Sequence, residues 1–479
     1  MKKKTNRDNR YVKFLLYLAL PLYGAASLSS CADLDQEPVS SISSNNFYKS
    51  EDELKTAING IYEVATEDGF YGMFNNQSIY FNDLQTDYVK SGANTNSAHI
   101  RELSNFAVST SNIFVIDSWN EHYKGINLAN QLIDKVEASS NFTDEVKKLY
   151  IGQASFMRAL YYFNLVRYFG DVPLVLHSSE AEGRSRDALD NVYAQIVKDL
   201  ETAEAYIPAS VTGSDGSATS GAATALLSKV YLVWAQTSLT LSQADKDSNI
   251  QKASDYASKV IDSRKYKLID KFIDNWSVDK KNGAEHIFSI QHDRTVNPNV
   301  SGHCTFAMLW SDSEPVLITT SAKYWEEEDA NDQRRDGSWA KKLYNPRTGK
   351  DFVFKTPLFR KYIDSLNYAT YGNSAGQSTN TTYLRYAEVL LIKAEAENEL
   401  HGPTSAAYDA INEVRRRAYW SPYQNKELAP SDGSPVKLQG LNQEQFRQAV
   451  RDEYRKEFVL EGRRWLDLVR WHILVKYVK

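Results

Sequence analysis

Apolar residues return at helical spacing along most of the chain. Ser50-Glu51-Asp52-Glu53 forms a capping box ahead of Leu54, Ala57, Ile58 and Ile61, which predicts a helix starting near Ser50. From Ser118 onward, Trp119, Tyr123, Ile126, Ala129 and Ile133 recur every three or four residues. Thr143 to Phe169 carries an apolar arc wide enough to be packed on both flanks, and Gly170, Asp171 and Pro173 stop it. The same reading predicts helices from Ala188 to Ile207, Ser220 to Ala235 and Asn249 to Ile261. Others run from Tyr383 to Leu400, Thr404 to Ala418 and Gln443 to Trp471, the last broken near Gly462. Small residues at contact positions let neighbouring helices approach closely, as in stacked hairpins. No fixed period relates them, so any helical repeat is degenerate.

Two stretches lack this rhythm. Residues 66–112 are rich in Asn, Ser, Gly, Asp and Tyr, and a polar stretch that long is often a functional loop. Residues 263–380 contain Pro298, Pro315, Pro346 and Pro357, frequent turn residues and short candidate strands such as Glu285 to Gln291. The predicted fold class is therefore mostly α: helical hairpins forming a scaffold, with an irregular, loop-rich region of small strands that carries the ligand surface.

The N-terminus has a different pattern. Lys2, Lys3, Lys4, Arg7, Arg10 and Lys13 precede an apolar run from Phe14 to Leu22, too short to span a bilayer. Gly24 to Ser27 then lead into Leu28-Ser29-Ser30-Cys31, which resembles a bacterial lipoprotein signal. That resemblance implies cleavage after residue 30 and a lipid on Cys31. The alternative is an ordinary export signal cut near Ala26, with Cys31 an incidental thiol. Residues 32–44 read as an extended tether. The chain has two cysteines; a lipid on Cys31 leaves Cys304 without a disulfide partner, as a small buried residue.

Charge narrows the partners. The first 30 residues hold six of the 56 Lys/Arg and one of the 61 Asp/Glu, so the remainder carries 50 against 60, a net of about −10. This argues against nucleic acid. No later segment is apolar enough to span a membrane, which leaves the lipid as the expected membrane contact.

The 30 tyrosines, 19 phenylalanines and nine tryptophans suit a protein that grips flat, partly apolar ligands. A sugar offers apolar faces to rings and hydroxyl edges to amides, carboxylates and guanidinium groups. Tyr71, Asp83, Tyr88 and Asn94 in the first loop region, and Trp310, Tyr324, Trp325 and Trp339 in the second, are the candidate ligand contacts. Packing of a small subdomain is the competing account of each. Trp119, Trp234, Trp465 and Trp471 lie on patterned helices and read as core.

Catalytic chemistry is poorly supported. Glu453, Glu457 and Glu461 lie four apart on one helix face, and a carboxylate pair could serve a glycosidase. Local pairs with Arg455, Arg463 and Arg464 explain the ladder without catalysis. Glu388 and Glu395, beside Arg385 and Lys393, read as a charged scaffold face. His286, His292, His303 and Cys304 match no zinc spacing, and no phosphate loop or nucleophile elbow occurs, so neither metal nor cofactor is expected.

Five segments together resemble the RagB/SusD family of nutrient-uptake outer-membrane lipoproteins. They are Cys31 to Asp35, Arg158 to Leu174 (RALYYFNLVRYFGDVPL), Tyr383 to Ala396 (YLRYAEVLLIKAEA), Ala410 to Arg415 and Glu453 to Trp471 (EYRKEFVLEGRRWLDLVRW). The resemblance implies tetratricopeptide-like hairpins, a signal at 1–30, an N-terminal helical region at 31–235 and a C-terminal region at 236–479, the two forming one body. It further implies display on the outer membrane, capture of oligosaccharides or peptides, and delivery to a TonB-dependent transporter of the SusC type, without bond cleavage. Family members usually continue past the last helix, whereas this chain stops at Tyr477-Val478-Lys479. The rivals are a glycoside hydrolase using the helical carboxylates and a scaffold that binds only protein.

Overall fold

Amphipathic helices of this kind must bury their apolar stripes on one another, and the computed structural model shows how. It describes residues 47–66, 80–91, 95, 97–180, 183–209, 216–293, 318–320, 322–345, 348–363 and 378–478. Residues 50–479 cluster as one compact unit. Cys31, Cys304, Tyr71, Asn94 and Trp310 lie outside the described residues.

The scaffold is a run of neighbouring helices. α1 (Glu51–Val64) packs on α3 (Ile113–Ala138) and α4 (Asp144–Phe169), with α2 (Ala98–Ser104) between them in sequence. α4 then packs on α5 (Leu189–Tyr206), α5 on α6 (Ser220–Thr237), and α6 on α7 (Gln243–Asp262). α4 is the central element. Every residue from Gly152 to Val166 is buried, which is why its sequence shows apolar residues almost all round.

Helix starts follow local chemistry. Ser50 Oγ accepts the Glu53 amide at 3.3 Å while Glu53 Oε2 accepts the Ser50 amide at 3.2 Å, completing the capping box. Thr143 caps α4, and Gly170, at φ +68°, ends it in a backbone region that favours glycine. α3 and α4 approach so closely at Gly125 that a Cβ there would sit 2.4 Å from the Tyr161 ring.

The RALYYFNLVRYFGDVPL segment ties this array together. Arg158 donates to both carboxylate oxygens of Asp199 on α5 (2.8 and 2.7 Å) and to Asn130 on α3 (2.8 Å). Tyr162 Oη bonds the backbone of Val175, and Tyr123 Oη donates to the Pro173 carbonyl at 2.8 Å. The extended chain after α4 is thereby fixed against the helices.

After α7 the character changes, as residues 263–380 predict. β2 (His286–Ile290) pairs antiparallel with β6 (Thr381–Arg385), β4 (Trp339–Asn345) with β5 (Lys350–Phe359), and β1 (Val89–Ser91) with β3 (Ile318–Thr320). Short helices α8 (Ala322–Glu327) and α9 (Gln333–Ser338) accompany them. α10 (Tyr386–His401) then packs on α6 and α7, and on α11 (Ser405–Ala418) and α12 (Gln443–Glu457). The chain continues through β7 (Trp420–Ser421), β8 (Lys426–Glu427), α13 (Arg464–Arg470) and α14 (Leu474–Val478).

Three boundaries differ from the periodic reading. α7 starts at Gln243, capped by Ser242, because its polar first turns carry no apolar period, whereas α3 starts at Ile113, capped by Asn112, because the unbroken apolar run Ile113 to Ile116 has no helical spacing of its own. Tyr383 belongs to β6, since Thr381–Arg385 is extended to hold Arg385 in a buried ion network. Among the described residues no helix is long and apolar enough to cross a membrane.

Candidate functional site

The two aperiodic stretches meet. Val89, Lys90 and Ser91 pair with Thr320, Thr319 and Ile318, joining the first loop region to the second. Beneath that junction lies an aromatic cluster containing Tyr80, Phe81, Tyr88, Phe114, Phe272, Trp276, Trp339 and Tyr362. Tyr324 and Trp325 pack against its margin.

Of the five candidate contacts among the described residues, three are therefore inside. Tyr88 is 1% exposed, donates to the Arg455 carbonyl at 3.0 Å, and meets Tyr324 edge-on at 5.3 Å. Trp339 is 3% exposed, packed in the same cluster. Asp83 is fully buried, with its Oδ2 accepting the Gly462 amide at 3.2 Å. Burial lifts its pKa to about 8, against the opposing pull of that hydrogen bond and of Lys361. These three are read from sequence as ligand contacts; the structure makes them internal, because each completes the packing or bonding beneath the loops. Tyr324 is half-buried and donates to Asp87, which also takes two hydrogen bonds from Arg464 at 3.0 and 2.9 Å.

Trp325 is different. Its indole is half-buried at the edge of the cluster, and Nε1 donates to Asp336 at 3.3 Å. The Arg335 guanidinium lies 5.1 Å from the ring centroid, and Arg335 itself bonds Asp336 twice at 3.0 Å. A half-buried ring with the Arg335 guanidinium over one face and the Asp336 carboxylate at its edge offers a sugar the remaining apolar surface and two polar groups. Arg335 and Asp336 are absent from the sequence reading. Their only signal is adjacency in the Asp332 to Trp339 segment, which does not reveal that they turn back toward Trp325.

The carboxylate ladder lies behind this surface and is sealed. Glu453 pairs with Arg334 (2.7 Å) and Arg415 (2.5 Å). Glu457 bonds Arg385 at 2.5 Å, Arg334 at 3.2 Å and also Arg417, while Glu461 takes Lys361 and Arg385, each at 2.8 Å. Glu285 bridges Arg385 and Arg417 at 2.8 and 2.9 Å, and Asp332 holds Arg334 at 2.7 Å. Burial alone would raise these carboxyls, yet the surrounding cations win: Glu453 is held down at about 2 and Glu457 lower still.

The expected local pairs are not the ones formed. Arg455 pairs with Glu328, Arg463 with Glu388 and Arg464 with Asp87, so the ladder is neutralised from other elements rather than from its own helix. Glu388 and Glu395 are buried as well, Glu388 against Lys229 and Arg463, Glu395 against Arg470 and Trp471.

His286 and His292 are occupied by packing, and His303 lies outside the described residues. His286 Nδ1 accepts the Gly283 amide at 2.9 Å and Nε2 meets the Asn275 carbonyl at 2.9 Å. Burial holds His292 near a pKa of about 3, hence neutral. Among the described residues no group of three His, Cys, Asp or Glu side chains could hold a metal ion. Of the helix tryptophans read as core, Trp471 is 7% exposed, while Trp119, Trp234 and Trp465 are half-buried.

Comparison with known proteins bears on both scaffold and surface. The model of the SusD family matches residues 218–479, and one described as starch-binding, associating with outer membrane, matches residues 34–232. SusD-like protein P2 of Formosa agariphila is 28% identical over 480 aligned positions, covering 93% of this chain and 88% of the relative. The fold matches a SusD homolog from Bacteroides thetaiotaomicron with TM-score 0.76 and 27% identity, covering 91% of this chain and 89% of the other. Surface glycan-binding protein A of Bacteroides fluxus (TM-score 0.70, 21% identity, 90% of each chain) shares the fold. So does a laminarin-binding SusD-like protein (TM-score 0.71, 23% identity), over 90% of this chain and 93% of that one. With one model covering more than half of the sequence, and the buried RALYYFNLVRYFG and EFVLEGRRWLDLVR segments forming its frame, the chain belongs to the RagB/SusD family.

Proposed function

We propose that this protein captures oligosaccharides at an aromatic surface of its loop-rich region and performs no bond cleavage. The observation that carries this reading is Trp325, a half-buried indole at the margin of the aromatic cluster, in contact with Asp336 and Arg335. Family membership supports it, as do the glycan-binding and laminarin-binding names of proteins with the same fold. The hydrolase reading loses its machinery. Glu453, Glu457 and Glu461 are at most 7% exposed and each is bound to cations, so no pair of them can flank a glycosidic bond.

In this reading Cys31 carries the lipid, the body is displayed on the outer membrane, and bound sugars pass to a TonB-dependent transporter of the SusC type. The description "associating with outer membrane" of the N-terminal family model supports the location.

Electrophoresis through gels containing laminarin, starch or xylan tests the surface. Trp325→Ala should weaken retention on whichever polymer retards the wild type by roughly 5- to 10-fold, about 1–1.4 kcal/mol. Equal retardation of both proteins returns Trp325 to a packing role. Shortened glycans after incubation would establish the hydrolase instead.

A further inference from the structure

A second surface stands apart from the loop-rich region. Along α3, a groove of about 880 Å³ runs between the helix and the extended chain that follows α4. That volume lies within the range of about 300–1,000 Å³ that ligand clefts occupy. Trp119, Tyr123, Asn127 and Gln131 are spaced four apart, so they form one ridge along the helix and line this groove together.

The ridge has an aromatic end and an amide end. The Trp119 and Tyr123 rings lie 5.0 Å apart, tilted by 47°, and both remain half-buried rather than sealed. Tyr123 is locked by its bond to Pro173, and Trp119 is braced edge-on by Phe169 at 5.1 Å. By contrast, the side-chain amides of Asn120, Asn127 and Gln131 make no hydrogen bond among the described residues. At the rim Arg184 and Glu180 pair with each other. Lys124 is the other charged group in the lining and is itself engaged, and Arg186 lies 5.8 Å from the Trp119 ring centroid, so the groove carries no carboxylate without a cation and only a slight positive balance.

Rigid rings beside amides open to solvent, with little net charge, match a neutral polyhydroxylated chain. Rings cover pyranose faces, and each amide supplies both a donor and an acceptor to a hydroxyl pair. We infer that the Trp119–Gln131 groove is a second oligosaccharide-binding site on the helical scaffold, engaging a polymer independently of Trp325. The inference rests on the glycan-binding reading above, and two sites on one polymer would add avidity.

The test uses the full chain in gels containing laminarin, starch or xylan. Asn127→Ala combined with Gln131→Ala changes only amides that make no bond among the described residues, so the thermal unfolding midpoint should stay unchanged. Retention should fall roughly 3- to 10-fold. Trp119→Ala should fall at least as far, and either change combined with Trp325→Ala should fall further than Trp325→Ala alone. If the amide double variant is retarded like the wild type while Trp325→Ala is not, the groove fails and the first site stands. If no polymer retards the wild type, both fail. Protection of Trp119 from oxidation by a hexapeptide, and by none of the three polymers, would also overturn the assignment.

Discussion

The helical array and the loop-rich region are held together by different forces. Between α4 and its neighbours the contacts are apolar, with Phe156, Leu160, Phe163 and Leu165 fully buried and Arg158–Asp199 the main charged tie. Where the loop-rich region meets α12, the contact is ionic: Asp332, Glu285, Glu453, Glu457 and Glu461 face Arg334, Arg385, Arg415, Arg417 and Lys361. Apolar layers tolerate partial repacking, whereas buried charges do not tolerate losing one partner. The ionic joint thus fixes the geometry under the aromatic surface, at the expense of making every member indispensable.

The sharpest way to break that contrast is Arg385→Met. It strips Glu285, Glu457 and Glu461 of a shared cation in a place where each carboxylate is fully sealed or nearly so. A loss of about 3–5 kcal/mol is expected, read by denaturant unfolding. Limited proteolysis should cut first between residues 263 and 363, ahead of the helical array. Leu160→Ala, removing a fully buried side chain from α4, should cost a similar 2–5 kcal/mol but unfold the molecule without that preference. Indistinguishable cleavage patterns for the two variants would show that the ionic joint has no local role.

The same contrast governs what the sequence reveals. Helix starts at Ser50, Thr143 and Thr404 are legible because a cap and its partner lie three residues apart. The ionic joint is not, because Arg385 and Glu457 are 72 residues apart, Arg334 and Glu453 119, and Arg417 and Glu285 132. No periodicity encodes such pairs, so the Glu453–Glu457–Glu461 ladder reads as locally paired when it is not. The candidate ligand region follows the same rule. Composition marks residues 66–112 and 263–380 as two separate polar, aromatic stretches, and only the β1–β3 pairing reveals that they meet. Which ring faces water depends on the base they build. Tyr88 and Trp339 became that base, and Trp325 stayed at its edge.

Asp83 sharpens the comparison from beside the aromatic cluster, where a carboxyl feels Lys361 only at a distance and lacks the direct ion pair that every ladder glutamate has. One of its oxygens, Oδ1, is buried without a hydrogen-bond partner among the described residues. With a folded pKa of about 8 against an ordinary 3.8, the folded state holds a proton that the unfolded chain releases. Its stabilising contribution is complete below about pH 4 and lost as pH rises through 8, with a slope of up to about 1.4 kcal/mol per pH unit in between. Asp83→Asn keeps an acceptor for Gly462 and cannot ionise. Its melting temperature should exceed the wild type's at pH 9 and match it near pH 4. Parallel curves for the two proteins would mean that Asp83 is charged in the fold.

The smallest effect comes from repeating the ionic chemistry in water. Lys259 on α7 meets Glu204 on α5 at 2.9 Å, a distance like those in the buried joint, but the lysine side chain is 61% exposed. Solvent screens the pair, Lys259 is well hydrated alone and Glu204 keeps its hydrogen bond from Thr224, so Lys259→Ala should cost no more than about 0.5 kcal/mol. Even that difference should shrink when salt is raised from 0.05 to about 0.5 M, because the screening length contracts to a few ångströms. Equilibrium unfolding at the two salt concentrations measures it. A loss above about 2 kcal/mol would mean that the interhelical layer of the array also depends on ion pairs, and the division of labour between the two regions would not hold.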